Sequence, residues 1–150
     1  MPTRKERLPV VIDTSLYITR FLHHKRGGIN RRVIDLWQAQ RRLQLIVSPP
    51  IVREYLFVLE HYVVVPPKRL KTIENRLAKA SYISHVNPGK RFYLSRDLKD
   101  NMLIDTAHAG KAKFLITRDR DLLDIPKGEL KGFRFEIVTP FEFLQKIGEI

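Results

Sequence analysis

The sequence predicts a single α/β domain with a mainly parallel sheet and helices on both faces. Short apolar runs rich in β-branched residues alternate with helical patterns, which is typical of parallel strands joined by right-handed crossovers. The length of 150 residues and the 43% hydrophobic content suit one domain of ordinary size. No repeat or Gly/Ser linker divides the chain. Residues 1–150 are therefore expected to form one unit, with residues 1–8 as a basic N-terminal tail.

Strand and helix signals alternate through the first half of the chain. The segment Val10–Ile12 is β-branched and bounded by charge, which favours a strand buried on both faces. Asn30 is predicted as an N-cap, and Ser48 followed by two prolines is a helix start signal. The predicted elements are strand Leu8–Asp13, helix Leu16–His24, helix Asn30–Gln40, strand Leu43–Val47, a long helix after Pro50, and helix Lys68–Ile83 with one basic face.

The second half adds two strands and two helices. The acidic segment Asp97–Asn101 follows a loop and suits the first turn of a helix, because the helix dipole favours carboxylates there. The predicted elements are a helix from this segment to about Ala109, strand Phe114–Thr117, strand Arg134–Val138 and helix Pro140–Ile147.

Composition and charge exclude several classes of function. The chain has no cysteine, which rules out a disulfide scaffold, a thiolate zinc site and a cysteine nucleophile. No signal peptide is recognisable and no apolar run reaches the about 18 residues of a membrane span. A cytoplasmic protein with no membrane partner is therefore expected. The 28 Lys and Arg residues against 16 Asp and Glu residues give a net charge of +12, which favours a polyanion such as nucleic acid or an acidic membrane surface.

Two predicted strands end in an aspartate. Asp13 follows the first strand, and Asp119 lies just beyond the strand that ends at Thr117. In an open parallel sheet, the functional crevice lies beyond the carboxyl ends of the strands, where the strand order reverses. Both carboxylates are therefore expected at one edge. The alternative is that each aspartate only caps the helix that follows, since Asp is among the best N-cap residues.

Two more acidic residues are predicted on helices. Glu54 lies at the margin of an apolar stripe, where a glutamate is usually solvated. Asp100 shares the inward-facing stripe that includes Ile104, so it is either a buried cap or a ligand. Asp105 falls on the opposite side of this helix and is expected in solvent.

Clustering Asp13, Glu54, Asp100 and Asp119 requires a counter-cation, because like charges a few ångströms apart raise one another's pKa. Carboxylate oxygens suit Mg²⁺ or Mn²⁺, whereas the absence of cysteine and of an H-E-x-x-H pattern argues against zinc. The histidines are expected to be surface residues rather than ligands; they are His23, His24, His61, His85 and His108.

These acids occur within an ordered set of segments, VVIDTS, IVSPPIVREYLFVL, RDLKDNMLIDTA, FLITRDRDLL and IVTPFEFLQKI. In this order the segments resemble the PIN-domain ribonucleases, and most of all the toxins of prokaryotic toxin-antitoxin modules. The resemblance extends from about Pro9 to Ile147. It implies a three-layer α/β/α sandwich and a Mg²⁺- or Mn²⁺-dependent endonuclease that acts on RNA. It also implies a cognate antitoxin as partner and a homodimer.

The resemblance assigns the metal and the catalysis to four acidic residues. Asp13 corresponds to the first-strand ligand, and Glu54 to the helix glutamate, which either binds the metal or accepts the proton of the attacking water. Asp100 corresponds to the acid of the D-x-x-D-N segment and Asp119 to the acid of the T-x-D segment.

Other polar residues are assigned supporting roles by the same resemblance. The hydroxyls of Ser15 and Thr117 are expected to orient carboxylates or a bound water. Asp97 and Asp121 are expected to assist through water or through the ligands. Ser15 stands where the family usually has asparagine, and Asn101 stands where other branches have an acid. Asp97 therefore remains an alternative to Asp100 as the third ligand.

The basic surface is expected to capture RNA through its phosphates, in a salt-dependent way. Phe92 and Tyr93 are candidates for stacking on unpaired bases, although aromatic residues near a strand edge are more often packed. The residues predicted to bind RNA are Arg69, Arg76, Lys79, Arg91 and Arg96.

Three other functions fit part of the pattern. A PIN-like module that binds RNA or a protein without cutting keeps the fold but not the reaction. A structure-specific DNA nuclease uses the same acids on another substrate. A receiver-type phosphoacceptor domain also has an aspartate at a strand end, but its acidic pair and its strand-end lysine are not evident here.

Overall fold

A computed structural model describes residues 1–22 and 28–150 of the chain. Within these residues, five parallel strands form one sheet in the order β3-β2-β1-β4-β5. The strands are β1 (Leu8–Ile12), β2 (Leu43–Val47), β3 (Ile83–His85), β4 (Phe114–Ile116) and β5 (Glu136–Val138). The α-helices are α1 (Thr14–Tyr17), α2 (Ile29–Gln38), α3 (Pro49–His61), α4 (Pro67–Lys79), α5 (Leu98–Ala109), α6 (Arg120–Leu123) and α7 (Pro140–Lys146).

Helices cover both faces of this sheet. Helices α2 and α7 contact each other and the strands β2, β4 and β5, whereas α5 contacts β1, β2 and β4. The chain moves outward from β1 to β3 and then returns to β4, on the far side of β1. With right-handed crossovers this reversal places α5 on the face opposite α2. The predicted α/β/α sandwich is confirmed.

The central strands form the core and align the residues that follow them. Val10, Val11 and Ile12 are fully buried in β1. In the pairing of β1 with β4, Ile12 lies opposite Ile116. Since the strand order reverses between these two strands, their carboxyl ends mark the crevice where α/β proteins of this kind bind ligands.

The predicted helix Lys68–Ile83 is wrong at its C-terminal end. Helix α4 ends at Lys79, and Ile83 begins β3, a strand that the sequence pattern did not predict. The Leu45 N–H donates to the Tyr82 carbonyl oxygen (3.0 Å) as β3 pairs with β2. This pairing joins residues far apart in the sequence, so local periodicity does not reveal it.

The predicted helix Leu16–His24 is confirmed at its start and wrong beyond Tyr17. Helix α1 ends at Tyr17 and continues as a 3₁₀ turn, Ile18–Phe21, after which Leu22 is extended. Its predicted last residue, His24, lies outside the described residues.

The N-cap of α2 differs from the prediction. Gly28, and not Asn30, is the N-cap, and Asn30 lies inside the first turn. The other predicted elements are confirmed with small shifts at their ends.

The N-terminal segment contacts the edge of the sheet. Residues Arg4–Glu6 form a 3₁₀ turn before β1. The Arg7 guanidinium donates to Gln44 Oε1 (3.0 Å) and to the Ser81 carbonyl oxygen (3.2 Å).

None of the helices in the described part of the chain combines the length and the hydrophobicity needed to cross a bilayer.

Candidate metal centre

Asp13 directly follows β1 and is the N-cap of α1. Its Oδ1 accepts hydrogen bonds from the Leu16 N–H (2.9 Å) and from the Ser15 hydroxyl (3.0 Å). Its Oδ2 accepts from the Thr117 hydroxyl (2.5 Å) and from the Arg118 N–H (3.3 Å). The residue is 7% exposed, so these four donors take the place of water around both oxygens.

The Thr117 hydroxyl links the ends of β1 and β4. It donates to Asp13 and accepts a hydrogen bond from the Asp119 N–H (2.9 Å). Asp119 is the N-cap of α6, and its Oδ1 accepts from the Asp121 N–H (2.9 Å). Capping and convergence therefore occur together: each strand-end aspartate caps a helix, and the two lie at one edge of the sheet.

Helix α5 brings two further carboxylates to this edge. Asp97 is the N-cap of α5 and accepts from the Lys99 N–H (2.9 Å). Asp100, in the first turn, is 5% exposed and accepts from the Ser95 hydroxyl (3.3 Å). One carboxylate oxygen from each of Asp97, Asp100 and Asp119 lies within 4.8 Å of the other two, and we call these three residues the acidic cluster.

Like charge is concentrated in the acidic cluster. Burial raises the pKa of Asp100 to about 7, and the carboxylates of Asp119 and Asp97 act in the same direction. A hydrogen bond to Asp119 also favours the protonated form, whereas the Ser95 hydroxyl opposes it. A divalent cation would relieve this repulsion, and an all-oxygen donor set is what Mg²⁺ and Mn²⁺ prefer. The residues present therefore fit a hard divalent metal.

Glu54 lies beside the acidic cluster rather than in it. Its Oε1 is 3.7 Å from the Lys99 Nζ, and its side chain is partly buried whereas that of Lys99 is exposed. Helices α3 and α5 are in contact, which brings Glu54 to the residue that precedes Asp100.

Asp121 and Arg96 form an ion pair at the rim of the acidic cluster. The Asp121 Oδ1 is 3.5 Å from Arg96 Nη2. Because Asp121 follows Asp119 by two residues, the exposed Arg96 guanidinium is held close to the candidate metal ligands.

The prediction that Asp105 lies in solvent is wrong. Asp105 is 5% exposed, and its Oδ1 accepts from the Phe92 N–H (2.8 Å). Burial raises its pKa, and the Phe92 N–H opposes this shift. The segment 86–97 covers this side of α5, so the helix is buried around most of its circumference and helical periodicity does not distinguish inside from outside.

Two polar residues that the sequence analysis did not assign to the site hold the segment 86–97 in place. The Asn101 Oδ1 accepts from the Ser95 N–H (2.9 Å), and its Nδ2 donates to the Ser95 carbonyl oxygen (3.0 Å). Ser95 in turn donates to Asp100. No periodicity marks Ser95, because it lies outside regular secondary structure.

In the described part of the chain, the histidines contact residues outside the acidic cluster. The His61 ring stacks on Phe57 with centroids 4.2 Å apart, and a ring nitrogen of His85 lies 2.8 Å from the Leu77 carbonyl oxygen. His108 packs edge-on against Phe92. His23 and His24 lie outside the described residues.

The two candidate stacking residues differ. Phe92 is packed, with its ring centroid 4.9 Å from that of Phe133. Tyr93 is 74% exposed. Only Tyr93 therefore keeps a free ring face for a base.

The residues predicted to bind RNA are all exposed, on α4 or in the segment after β3. They are Arg69, Arg76, Lys79, Arg91 and Arg96.

Known proteins resemble this chain in sequence and in fold. The family model described as "PIN domain" matches residues 9–121, which include every acidic residue of the candidate site. An uncharacterized protein of Methanocaldococcus jannaschii is 29% identical over 153 residues, which cover 95% of this chain and 93% of that protein. Among solved structures, FitAcB from Neisseria gonorrhoeae has a similar fold, with a TM-score of 0.54 and 13% identity over 88% of this chain and 98% of that one. The family match covers most of the sequence, and the chain belongs to the PIN-domain family.

Proposed function

We propose that the protein is a divalent-metal-dependent endoribonuclease and the toxin of a toxin-antitoxin module. The observation that carries the proposal is the acidic cluster at the carboxyl ends of β1 and β4, with Asp13 joined to it through Thr117. Membership of the PIN-domain family supports nuclease chemistry at this place. The sequence resemblance to the toxin branch supports the biological role.

The proposed ligands of Mg²⁺ or Mn²⁺ are Asp13, Glu54, Asp100 and Asp119, with Asp97 close enough to join them. Asp100 and Asp119 already lie within reach of one ion. Each Asp13 oxygen accepts from one hydroxyl, that of Ser15 or that of Thr117, and a hydroxyl can rotate so that an ion or a bound water takes its place. The backbone donors at each N-cap keep the carboxylates in place when the charge changes.

Hydrolysis of a phosphodiester needs an activated water and a stabilised leaving oxygen, and a bound divalent cation supplies both. Glu54 is proposed either to bind the ion or to accept the proton of the attacking water. The Lys99 ammonium lies next to Glu54, with 3.7 Å between Nζ and Oε1. No nucleophile from the protein is required.

RNA binding is assigned to the exposed basic residues around the site. Arg96 at the rim of the acidic cluster and Arg91 in the same segment are proposed to contact phosphates close to the scissile bond. The exposed ring of Tyr93 is proposed to stack on an unpaired base. Arg69, Arg76 and Lys79 extend the basic surface along α4.

A toxin of this kind implies two protein partners. One is a cognate antitoxin that covers the crevice at the carboxyl ends of β1 and β4 and blocks cleavage. The other is a second copy of the chain, in a homodimer. Both follow from the resemblance of the sequence to the toxin branch.

The test is cleavage of single-stranded RNA by the purified protein with Mg²⁺, with Mn²⁺ and with EDTA. Cleavage is expected only with a divalent cation, and Asp13→Asn and Asp119→Asn should each abolish it. Asp124→Asn is the matched control, since Asp124 is an exposed aspartate paired with Arg120. Unchanged rates in both site variants would reject the assignment.

The same assay distinguishes the other functions. Cleavage of flapped DNA without cleavage of RNA would reassign the protein to DNA nucleases. RNA binding that survives EDTA, with no cleavage of any substrate, would make it a binding module. Growth arrest on expression in a bacterial host, absent with Asp119→Asn, tests the role as a toxin.

A further inference from the structure

A pocket lined by three arginines lies between α4, α2, the 3₁₀ turn after α1 and the start of β3. Its volume is about 160 Å³. Aromatic side chains supply much of its wall. We call it the arginine pocket, and its principal lining residues are Arg20, Arg69, Arg76, Tyr17, Trp37 and Tyr82.

No carboxylate neutralises the arginine pocket. All 16 acidic residues of the sequence lie in the part of the chain that the structure describes, and none of the ion pairs formed there includes Arg20, Arg69 or Arg76. Two of the guanidinium groups lie near one aromatic ring instead. The Cζ atoms of Arg20 and Arg69 are 5.3 and 5.8 Å from the centre of the Phe21 ring.

This arrangement is unfavourable for the free protein. Burial lowers the pKa of the Arg20 guanidinium, and repulsion from Arg76 and Arg69 acts in the same direction. Arginine nevertheless stays charged in proteins, so the lower pKa measures a cost to the folded state. Three cations that converge without a carboxylate are an arrangement that an anion would stabilise.

The size of the pocket limits what can enter it. Pockets that enclose a whole drug-sized ligand have volumes of roughly 300–1,000 Å³. At about 160 Å³, the arginine pocket accepts one charged group that belongs to a larger molecule. Guanidinium groups match the oxygens of a phosphate in a bidentate geometry.

The arginine pocket is close to the candidate metal centre along the chain. Tyr17 is the last residue of α1, and its N–H donates to the Asp13 carbonyl oxygen (3.0 Å). The Tyr17 ring stacks on Tyr55 with centroids 4.0 Å apart, and the Tyr55 hydroxyl donates to the Ile12 carbonyl oxygen. One helical turn therefore separates the pocket wall from the strand end that presents Asp13.

We propose that the arginine pocket binds a backbone phosphate of the RNA substrate, at a nucleotide other than those joined by the scissile bond. The proposal rests on the proposed function and adds a subsite to it. A nucleic acid is favoured over an acidic protein because positive charge continues beyond the pocket. The Arg41 guanidinium lies 3.7 Å from the centre of the Tyr82 ring, and Lys79 follows Arg76 on α4. A row of cations matches a chain of regularly spaced phosphates.

The first experiment measures RNA affinity without cleavage. The protein carries Asp119→Asn and is titrated in EDTA against a labelled single-stranded RNA over a range of salt concentrations. Arg20→Gln and Arg76→Gln are each expected to weaken binding about tenfold. Each should also reduce the slope of the logarithm of the binding constant against the logarithm of the salt concentration by about 0.7, because one phosphate contact is lost. The matched control is Arg134→Gln, an exposed arginine that precedes β5, which should leave the affinity unchanged.

Thermal unfolding of the same variants separates binding from folding. Arg20→Gln should unfold at the same temperature as the parent protein or higher, because it removes a partly buried charge that two neighbours repel. A lower unfolding temperature together with weaker RNA binding would indicate a structural role for Arg20 and would overturn the proposal.

Cleavage kinetics supply the second readout. With the active protein, Arg20→Gln should raise KM for a long single-stranded RNA and leave kcat unchanged. Cleavage of a dinucleotide, which has no phosphate other than the scissile one, should be unaffected. Equal losses on both substrates would overturn the proposal, because they would place Arg20 in the reaction itself.

Two further outcomes also overturn the proposal. Unchanged RNA affinity in Arg20→Gln and Arg76→Gln would remove the pocket from RNA binding while leaving the nuclease assignment intact. Unchanged RNA affinity with weaker binding of poly-glutamate would reassign the pocket to a protein carboxylate. If the unsubstituted protein cleaves no RNA, the proposed function fails, and that result is visible before any arginine variant is made.

Discussion

The acidic cluster and the arginine pocket both bring like charges together, but the protein builds them in different ways. Asp97 and Asp119 are held by backbone N–H groups at helix N-termini, and Asp13 is fixed in the same way beside them. The guanidinium groups of Arg20 and Arg69 lie instead at the ends of long side chains near an aromatic ring. Short, capped side chains give the strict geometry that a metal requires, whereas long ones suit contact with a phosphate at variable positions.

Both regions are expected to reduce the stability of the free protein, since each places charges where they repel. A ligand of opposite charge offsets this cost and binds more tightly because of it. Removing a charge from either region should therefore weaken function without weakening the fold, which is a common relation between activity and stability. The acidic cluster is proposed to hold a metal ion for cleavage, whereas the arginine pocket is proposed to hold a phosphate for RNA binding.

The largest expected effect comes from a substitution in the acidic cluster. Asp100→Asn should lower the rate of RNA cleavage by more than the roughly 10–100-fold that changes around a metal ligand cause. It removes a ligand from the proposed ion and a charge that Asp119 repels. Cleavage assays with Mg²⁺ measure the effect, with Asp124→Asn as the control. A rate within a few-fold of the parent would place the ion elsewhere.

A smaller effect is expected from the hydroxyl that joins β1 to β4. Thr117→Val keeps the shape of the side chain but removes the donor to Asp13 and the acceptor for the Asp119 N–H. Cleavage should fall about 10–100-fold. Thr117→Ser, which restores the hydroxyl, should recover most of the rate. Equal losses in both variants would show that packing, and not the hydroxyl, is responsible.

Stabilisation by two different ligands, a divalent cation and RNA, tests whether the acidic cluster and the arginine pocket act separately. A divalent cation at about a hundred times its Kd should stabilise the parent protein and Arg20→Gln by about 2.7 kcal/mol, but not Asp100→Asn. Single-stranded RNA in EDTA should stabilise Asp100→Asn more than Arg20→Gln. Thermal unfolding measures both effects. Loss of both responses in one variant would mean that the two regions form a single site.

The smallest expected effect is on how the free energy of unfolding of the metal-free protein depends on pH. The pKa of Asp100 is about 7 in the folded protein and 3.8 for an ordinary aspartate, so the folded state binds the extra proton between these values. The resulting stability is fully present below the ordinary value and is lost as the pH rises through about 7. Asp100→Asn should flatten this slope relative to the parent.

Urea unfolding in EDTA across this range of pH measures the slope. Asp105, whose pKa is also raised, is present in both proteins, so the difference between them isolates Asp100. Arg20→Gln should keep the slope of the parent, because arginine does not titrate at these pH values. A slope that is unchanged in Asp100→Asn would contradict the electrostatic account of the acidic cluster.

Local sequence patterns were sufficient to place Asp13 and Asp119 at strand ends but not to predict what surrounds the acidic residues. An aspartate after a β-branched run predicts both a strand end and a helix cap, and Asp13 and Asp119 have both properties. Asp105 was misplaced because a segment without regular structure covers its side of α5. The strand β3 was missed because it depends on pairing with β2.

Three features can be read from the amino-acid sequence alone: the α/β order of elements, the strong positive charge and the placement of acids at strand ends and helix starts. The charge follows from composition, and the other two depend on residues that are neighbours in the chain, whose preferences act within one strand or one helical turn. The folded chain is needed to see that Asp97, Asp100 and Asp119 share one small volume, and that Arg20 meets two arginines of α4. Such meetings depend on strand order and helix packing, which are set by burial of the whole core and not by any single segment.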